Sequence, residues 1–375
     1  MKKLFIISSS LLVLFLIFLL AYNIAFRKSP EAKTNSIVSG ESEDEQNSSI
    51  YGKIKPVVDE SVIGFFLDKK NEELFFYSSL DGKAWRTDLE GERRRNFSSE
   101  ESIGLMDALW SPGGGKAIAV FSQGGWHKNF FLHEEGGTKI TKLGAGTDTV
   151  AWDNLGAKII YKYFDEDTKA QSINIANPDG SDWKKIADTR FTDVAIAPIP
   201  KTSLVSFWNK GKAQEPTELS VVGMNGGEAK IIFSGKTGVD YEWSPNGERA
   251  IVSHLKEQGN GSMTTGLIDI NGSYVELGIP TMASKMEWSL DSKHVYYALP
   301  SIPDGAVMPD DYDSGKFKST DTFWKINTQS GEKTRLIDLA EIKGAYDAGS
   351  LTLSPSEDAL YFVNKVDGKI YTLDF

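Results

Sequence analysis

The apolar and polar positions of this chain fall into one unit that recurs along most of its length. A short apolar run closes on a Trp or another large apolar residue, a Ser-Pro with Asn, Asp or Gly turns the chain, and a second apolar run follows. Trp243 opens the clearest copy, WSPNGERAIVS. Further copies open at Trp110 (WSPGGGKAIAV), Trp152 (WDNLGAKIIY), Trp288 (WSLDSKHVYY) and Leu353 (LSPSEDALYF), with worn versions at Leu67 and Ile196. The starts at 67, 110, 152, 196, 243, 288 and 353 are spaced in the low to mid forties until the last interval of 65. Such a period calls for a repeat architecture.

Within each period a third strand follows, then a Gly turn and a fourth strand. In the Trp152 unit these are QSINIA, the turn from Asn177 to Gly180, and WKKIAD. Four short antiparallel strands per period describe one blade of a β-propeller. Seven blades are expected, or six if a worn copy is not a blade. The last unit supplies only three strands, ending in KIYTLD, whereas residues 50–59 belong to no blade of their own. Those residues are expected to close the last blade and remove its exposed edge.

The WSPxG turn, its apolar strand, and a later strand ending in a turn such as NPDGSDWKKI together resemble the WD-like repeats of TolB-type β-propellers. The resemblance covers roughly residues 60–375. It implies an extracytoplasmic binding domain and carries over no catalytic residue, because this fold hosts enzymes, receptors and scaffolds alike.

Residues 4–26 are uncharged, rich in Leu, Ile and Phe, and flanked by Lys2, Lys3, Arg27 and Lys28. That is long enough to span a bilayer and ends without a small-x-small cleavage site, so 1–28 read as an uncleaved single-pass anchor. Residues 29–49 are polar and aperiodic, a tether for the propeller over 50–375. A short N-terminal tail before a long domain favours export of that domain. The chain has no cysteine, which excludes disulfides, thiolate chemistry and a lipid anchor on an N-terminal cysteine. Its first fifty residues carry five cations and five acids, so the net charge of −11 belongs entirely to the propeller. Such a surface repels phosphate backbones and argues against nucleic acid as a partner.

One set of propeller loops is short and regular, while the set joining strands two to three and blade to blade is long and variable, which is where binding usually lives. The 300–321 excursion explains the long last interval and holds Asp310, Asp311, Tyr312 and Asp313. Their spacing does not match an EF-hand, and a solvated acidic loop is expected. Tyr312, with Trp126 and His127 of the 122–129 loop, are candidate partner contacts, because exposed aromatics are enriched in such surfaces. Asp107 and Asp240 stand three residues before the repeat Trp, Asp193 three before Ile196, and Asp148 one residue further out. These four acids are expected around the mouth of the central channel.

His127, His133, His254 and His294 show no HxH or HExxH spacing, and neither a GxSxG elbow nor a phosphate-binding Gly loop occurs. No metal and no cofactor is expected. The sequence therefore favours a membrane-tethered, non-enzymatic module that binds a protein or envelope component. The alternative is a propeller hydrolase or lyase acting on glycan or peptide with acids at the channel mouth.

Overall fold

Seven four-stranded antiparallel sheets form the blades of a propeller; in six the strands follow in sequence order from the centre outwards, and in the seventh the outermost strand comes from the start of the domain. The computed structural model describes residues 52–98, 100–134, 137–259 and 262–375. The anchor and tether expected over 1–49 lie outside the described residues. Among those described, no helix is long and apolar enough to cross a membrane.

The innermost strands are Val62–Asp68, Leu105–Trp110, Thr147–Trp152, Val194–Pro198, Asp240–Trp243, Met286–Trp288 and Ala348–Leu353. Each ends at the tight turn that the sequence repeat marks. Trp110, Trp152, Trp243 and Trp288 are buried at the ends of their strands. Their indole N–H groups bind the preceding blade: Trp110 donates to the Gly64 carbonyl, Trp152 to Leu109 at 2.8 Å, and Trp288 to Glu242 at 3.1 Å. Trp243 does so through a relay, donating to Ser206 Oγ at 2.8 Å, which donates to the Ala197 carbonyl at 2.9 Å. The repeat Trp is thus both a wedge of apolar surface and a polar latch, which explains its recurrence.

Ile54–Val58 pairs antiparallel with Ile370–Asp374 and is the outermost strand of the seventh blade. Pro56 is tolerated there because an edge strand needs no donor on its outer side. Ile54 is fully buried in the core shared by blades six and seven, so this strand packs as well as pairs.

One register differs from the sequence reading. The closing residue of each inner strand pairs as Trp243 does with Ala250 and Trp288 with Val295, and in blade four that pair is Pro198 with Val205. Pro198-Ile199-Pro200 therefore occupies the place of Trp-Ser-Pro, two residues beyond Ile196. Without a Trp the first apolar residue looked like the closing one.

Candidate functional site

The 300–321 excursion has a packed underside, with Met308, Pro309, Tyr312 and Ser319 buried, while its outer residues, Asp313 among them, are exposed. It contains one helical turn, Asp310–Asp313. Tyr312 is only 5% exposed, within an apolar cluster of Ala213, Leu255, Met263, Met282 and Met308. The excursion of blade six thereby lies over the loops of blades four and five. Tyr312 is consequently no exposed contact: its hydroxyl donates to Asp347 Oδ1 at 2.6 Å.

Beneath Tyr312 lies a buried charge network. Lys285, 1% exposed, donates at 2.7 Å to Asp321 Oδ2, at 2.7 Å to Asp347 Oδ1 and at 2.9 Å to the Ala348 carbonyl. Ser319 Oγ bonds Asp321 Oδ1 at 2.6 Å. The network joins blade six, its excursion and blade seven.

The three carboxylates of the helical turn have different tasks. Asp310 accepts the Ala213 N–H at 3.2 Å, fixing the cap to blade four. Asp311 accepts the Val307 N–H at 2.9 Å and pairs with Lys316, which holds its carboxyl below the usual range. Asp313 faces a pocket of about 300 Å³ at the channel mouth. Sharing one cation is therefore not their role, and among the described residues no three His, Cys, Asp or Glu side chains gather where a metal ion would sit.

That pocket brings together two sequence-selected acids that are far apart along the chain, Asp240 and Asp313. Its apolar walls include Val239, Met263, Met282 and Pro309, and its polar rim includes Lys210, Ser253 and Ser284. Loss of hydration, then the nearby Asp313, pushes the Asp240 carboxyl up to about 6. Asp313 is exposed, yet reduced hydration and Asp310 raise its carboxyl, with Lys365 and Lys210 opposing.

The other three acids expected at the mouth do not line this pocket. Asp107 lines a separate stretch of channel, about 490 Å³, with Phe65 and Lys365, and restricted hydration raises its carboxyl. Asp148 pairs with Lys162 at 3.1 Å and Asp193 with Lys210 at 3.1 Å. The corrected register explains Asp193: the counterpart of Asp240 in blade four is Ala195, which does line the pocket. In blade six that counterpart is Lys285, which turns away into the network above.

Trp126 is 72% exposed on the loop between the second and third strands of blade two. His127 stacks on Phe121 at 5.3 Å and its Nδ1 meets the Gly125 carbonyl at 2.9 Å, so it props the loop beneath Trp126.

Two acids escaped the sequence reading. Glu242 and Glu287 each directly precede a repeat Trp, and this Glu-Trp doublet was the available sign. Glu242 is solvent-exposed, yet the surrounding protein limits its hydration, and this together with Glu287 and Asp240 raises its carboxyl above the usual range. Glu287 is also raised by burial, with Lys69 of blade one opposing at 3.1 Å.

No protein-family model and no curated protein matches the chain. Among solved structures it is similar to an oligogalacturonate lyase in complex with manganese, at 12% identity and TM-score 0.62, over 86% of this chain and 93% of that one. It is similar to the β-propeller domain of Cps50 (Swd1) from Myceliophteria thermophila, at 9% identity and TM-score 0.54, over 86% and 99%. A putative TolB from Agrobacterium tumefaciens matches at 15% identity and TM-score 0.45, over 64% and 93%. At these identities the first two likenesses show a shared propeller fold and nothing about the site.

Proposed function

We propose that this chain is a binding module, held by its N-terminal apolar segment on the extracytoplasmic side of a membrane, that recognises a protein or envelope component with its variable-loop face. The observation that carries this reading is the cap. A helical turn anchored by Asp310, Tyr312 and Lys285 shapes a small acid-lined pocket on that face, with Trp126 projecting from it. Loops on a rigid scaffold, an exposed ring and a preformed pocket make a recognition surface.

The test is capture of envelope components by the full chain compared with two variants. Trp126→Ala on the variable-loop face is expected to lose the captured species. Leu155→Ser is exposed in a first turn on the opposite face, and is expected to retain it. Equal capture by both variants overturns the assignment of the face. Sequencing of the native N-terminus tests the anchor, since a start after Ala25 would show that the segment is removed.

The glycan or peptide hydrolase or lyase reading is favoured by one observation, the raised Asp240 carboxyl in a pocket shared with a second acid. Against it, Asp107 and Asp193 stand outside that pocket, and about 300 Å³ is at the small end of ligand sites. Nor do the described residues offer a set of three ligands for an ion such as the lyase's manganese. Release of reducing ends or amines from polysaccharide or peptide libraries by the full chain, abolished by Asp240→Asn, would establish it instead.

A further inference from the structure

We propose that His254, Tyr274 and Glu276 share one additional proton that clasps the short outer strand of blade five, so that this strand is firm at mildly acidic pH and loosens as pH rises past neutrality.

The hydrogens of this chain do not otherwise add up. His254, buried near the end of the Arg249–Leu255 strand, sets Nδ1 at 2.7 Å from the Leu255 carbonyl and Nε2 at 2.9 Å from the Tyr274 hydroxyl. The same hydroxyl lies 2.6 Å from Glu276 Oε2, and Thr264 Oγ1 donates to Glu276 Oε1. A carbonyl only accepts, so Nδ1 carries a hydrogen, and in a neutral ring Nε2 is then an acceptor. An ionised carboxylate is an acceptor as well. Tyr274 thus stands between two acceptors with a single hydrogen to give. One more proton completes the chain, either on Nε2, donating to the Tyr274 oxygen, or on Glu276, freeing the hydroxyl for the ring. It belongs to the three groups together and not to one of them.

The charges nearby are few. Burial, the largest influence, and Lys236 of blade four's outer strand oppose charge on the His254 ring, whereas the Leu255 carbonyl and Glu276 favour it. Lost hydration raises the Glu276 carboxyl, but Thr264, Tyr274, His254 and Lys236 together outweigh it. Taken singly, ring and carboxyl each resist the proton, and the hydrogen count at Tyr274 is what calls for it. An unfolded histidine releases its proton near 6.5 and a glutamate near 4.5. A native chain that keeps one proton beyond 6.5 is stabilised by it below that pH and loses the stabilisation as pH rises through the native release.

What the proton holds is a lightly built edge. The outer strand Tyr274–Glu276 has three residues and pairs only with Gly266, Leu267 and Ile268. The Tyr274 ring lies over Gly266, where an added Cβ would meet it at 2.4 Å, and stacks on Phe233 of blade four at 5.8 Å. Glu276 is exposed, so once the proton leaves, its carboxylate can turn to water and leave the hydroxyl to His254. The clasp therefore opens at little cost, because the released acceptor is not left buried. It stands at the root of the variable loops: Leu255 belongs to the apolar cluster under the cap, and Gly259 donates to the Ala213 carbonyl of blade four at 3.1 Å.

The experiment follows amide hydrogen exchange of the full chain, held in detergent, as protection factors over residues 274–277 at pH 6 and pH 9. The parent is expected to lose protection by about ten-fold or more at the higher pH. Tyr274→Phe keeps the ring on Phe233 and removes the shared hydrogen, and is expected to be weakly and equally protected at both. Glu276→Gln discriminates, because its amide supplies the Tyr274 oxygen with the hydrogen that the proton otherwise brings. It is expected to stay protected at both pH values, whereas a merely structural carboxylate predicts loss at both. A parent equally protected at the two pH values, or a Glu276→Gln variant that loosens as the parent does, overturns the shared proton. So does NMR of the ring nitrogens and the carboxyl carbon showing a neutral His254 beside an ionised Glu276 at pH 6.

Discussion

Replacing Lys285 with methionine tests the physics that holds the cap over the channel. The substitution keeps most of the volume and removes one charge from a site where the lysine is 1% exposed. Asp321 keeps Ser319 Oγ and the Ala348 N–H at 2.8 Å, and Asp347 keeps the Tyr312 hydroxyl and Ser319. Neither keeps a direct ion pair, and only the more distant Lys365 still acts on both. Breaking a buried pair in this way costs about 3–5 kcal/mol, because an uncompensated carboxylate remains in the interior. For a domain of this size that is a fall of roughly 4–7 °C in melting temperature. The deficit is expected to depend on pH. Without Lys285 both carboxyls lie above their unfolded values, so the native state of the variant takes up a proton more readily than its unfolded chain. The loss is therefore full at pH 7 and shrinks as pH falls through the raised native values. Thermal melts by circular dichroism at pH 7 and at pH 4 measure both effects. A variant melting within about 2 °C of the parent at pH 7, or losing equally at both pH values, would refute this account of the network.

Three further outcomes follow from the same geometry. Glu242 holds its proton above the free-carboxyl range in the fold, so it lowers stability as pH rises through that raised range. Glu242→Gln is expected to gain stability at pH 8 and little at pH 4, and denaturant melts showing an unchanged pH slope would contradict it. A chain beginning at Val62 lacks Ile54–Val58 and leaves the Ile370–Asp374 edge bare, so its whole propeller is expected to melt well below the full chain; agreement within about 1 °C would dismiss the closing strand as a stabiliser. Ser206→Ala leaves the buried Trp243 N–H without its acceptor and is expected to cost about 1–3 kcal/mol by urea melts, against nearly nothing if that bond were incidental.

The legible part of this molecule is what each blade does alone. Strand, tight turn and strand are local, and the Trp that closes each inner strand ties to the preceding blade wherever it occurs, directly or through Ser206 for Trp243, so the period and the seven blades stand out in one dimension. The site is not local. Asp313 reaches the mouth only because Tyr312, Asp310 and Lys285 fold the excursion of blade six across blades four and five, and no spacing in the sequence announces that. Position within the repeat misleads for the same reason. The place that holds Asp240 in blade five holds Lys285 in blade six and Ala195 in blade four, three residues with three different partners.

The register of blade four makes this distinction measurable. With Trp243 matched to Pro198, Ala195 lines the pocket beside Asp240 and Asp313, whereas Asp193 lies outside it, paired with Lys210. Ala195→Asp would place a third carboxylate in a poorly hydrated site. A like charge disfavours ionisation of its neighbours, so the Asp240 carboxyl should rise further above its value of about 6. Asp193→Asn removes a charge directed at Lys210 and should move Asp240 far less. Carboxyl-carbon NMR titration of Asp240 in the two variants separates the registers. A larger shift from Asp193→Asn than from Ala195→Asp would return the repeat boundary to Ile196 and remove Ala195 from the pocket wall.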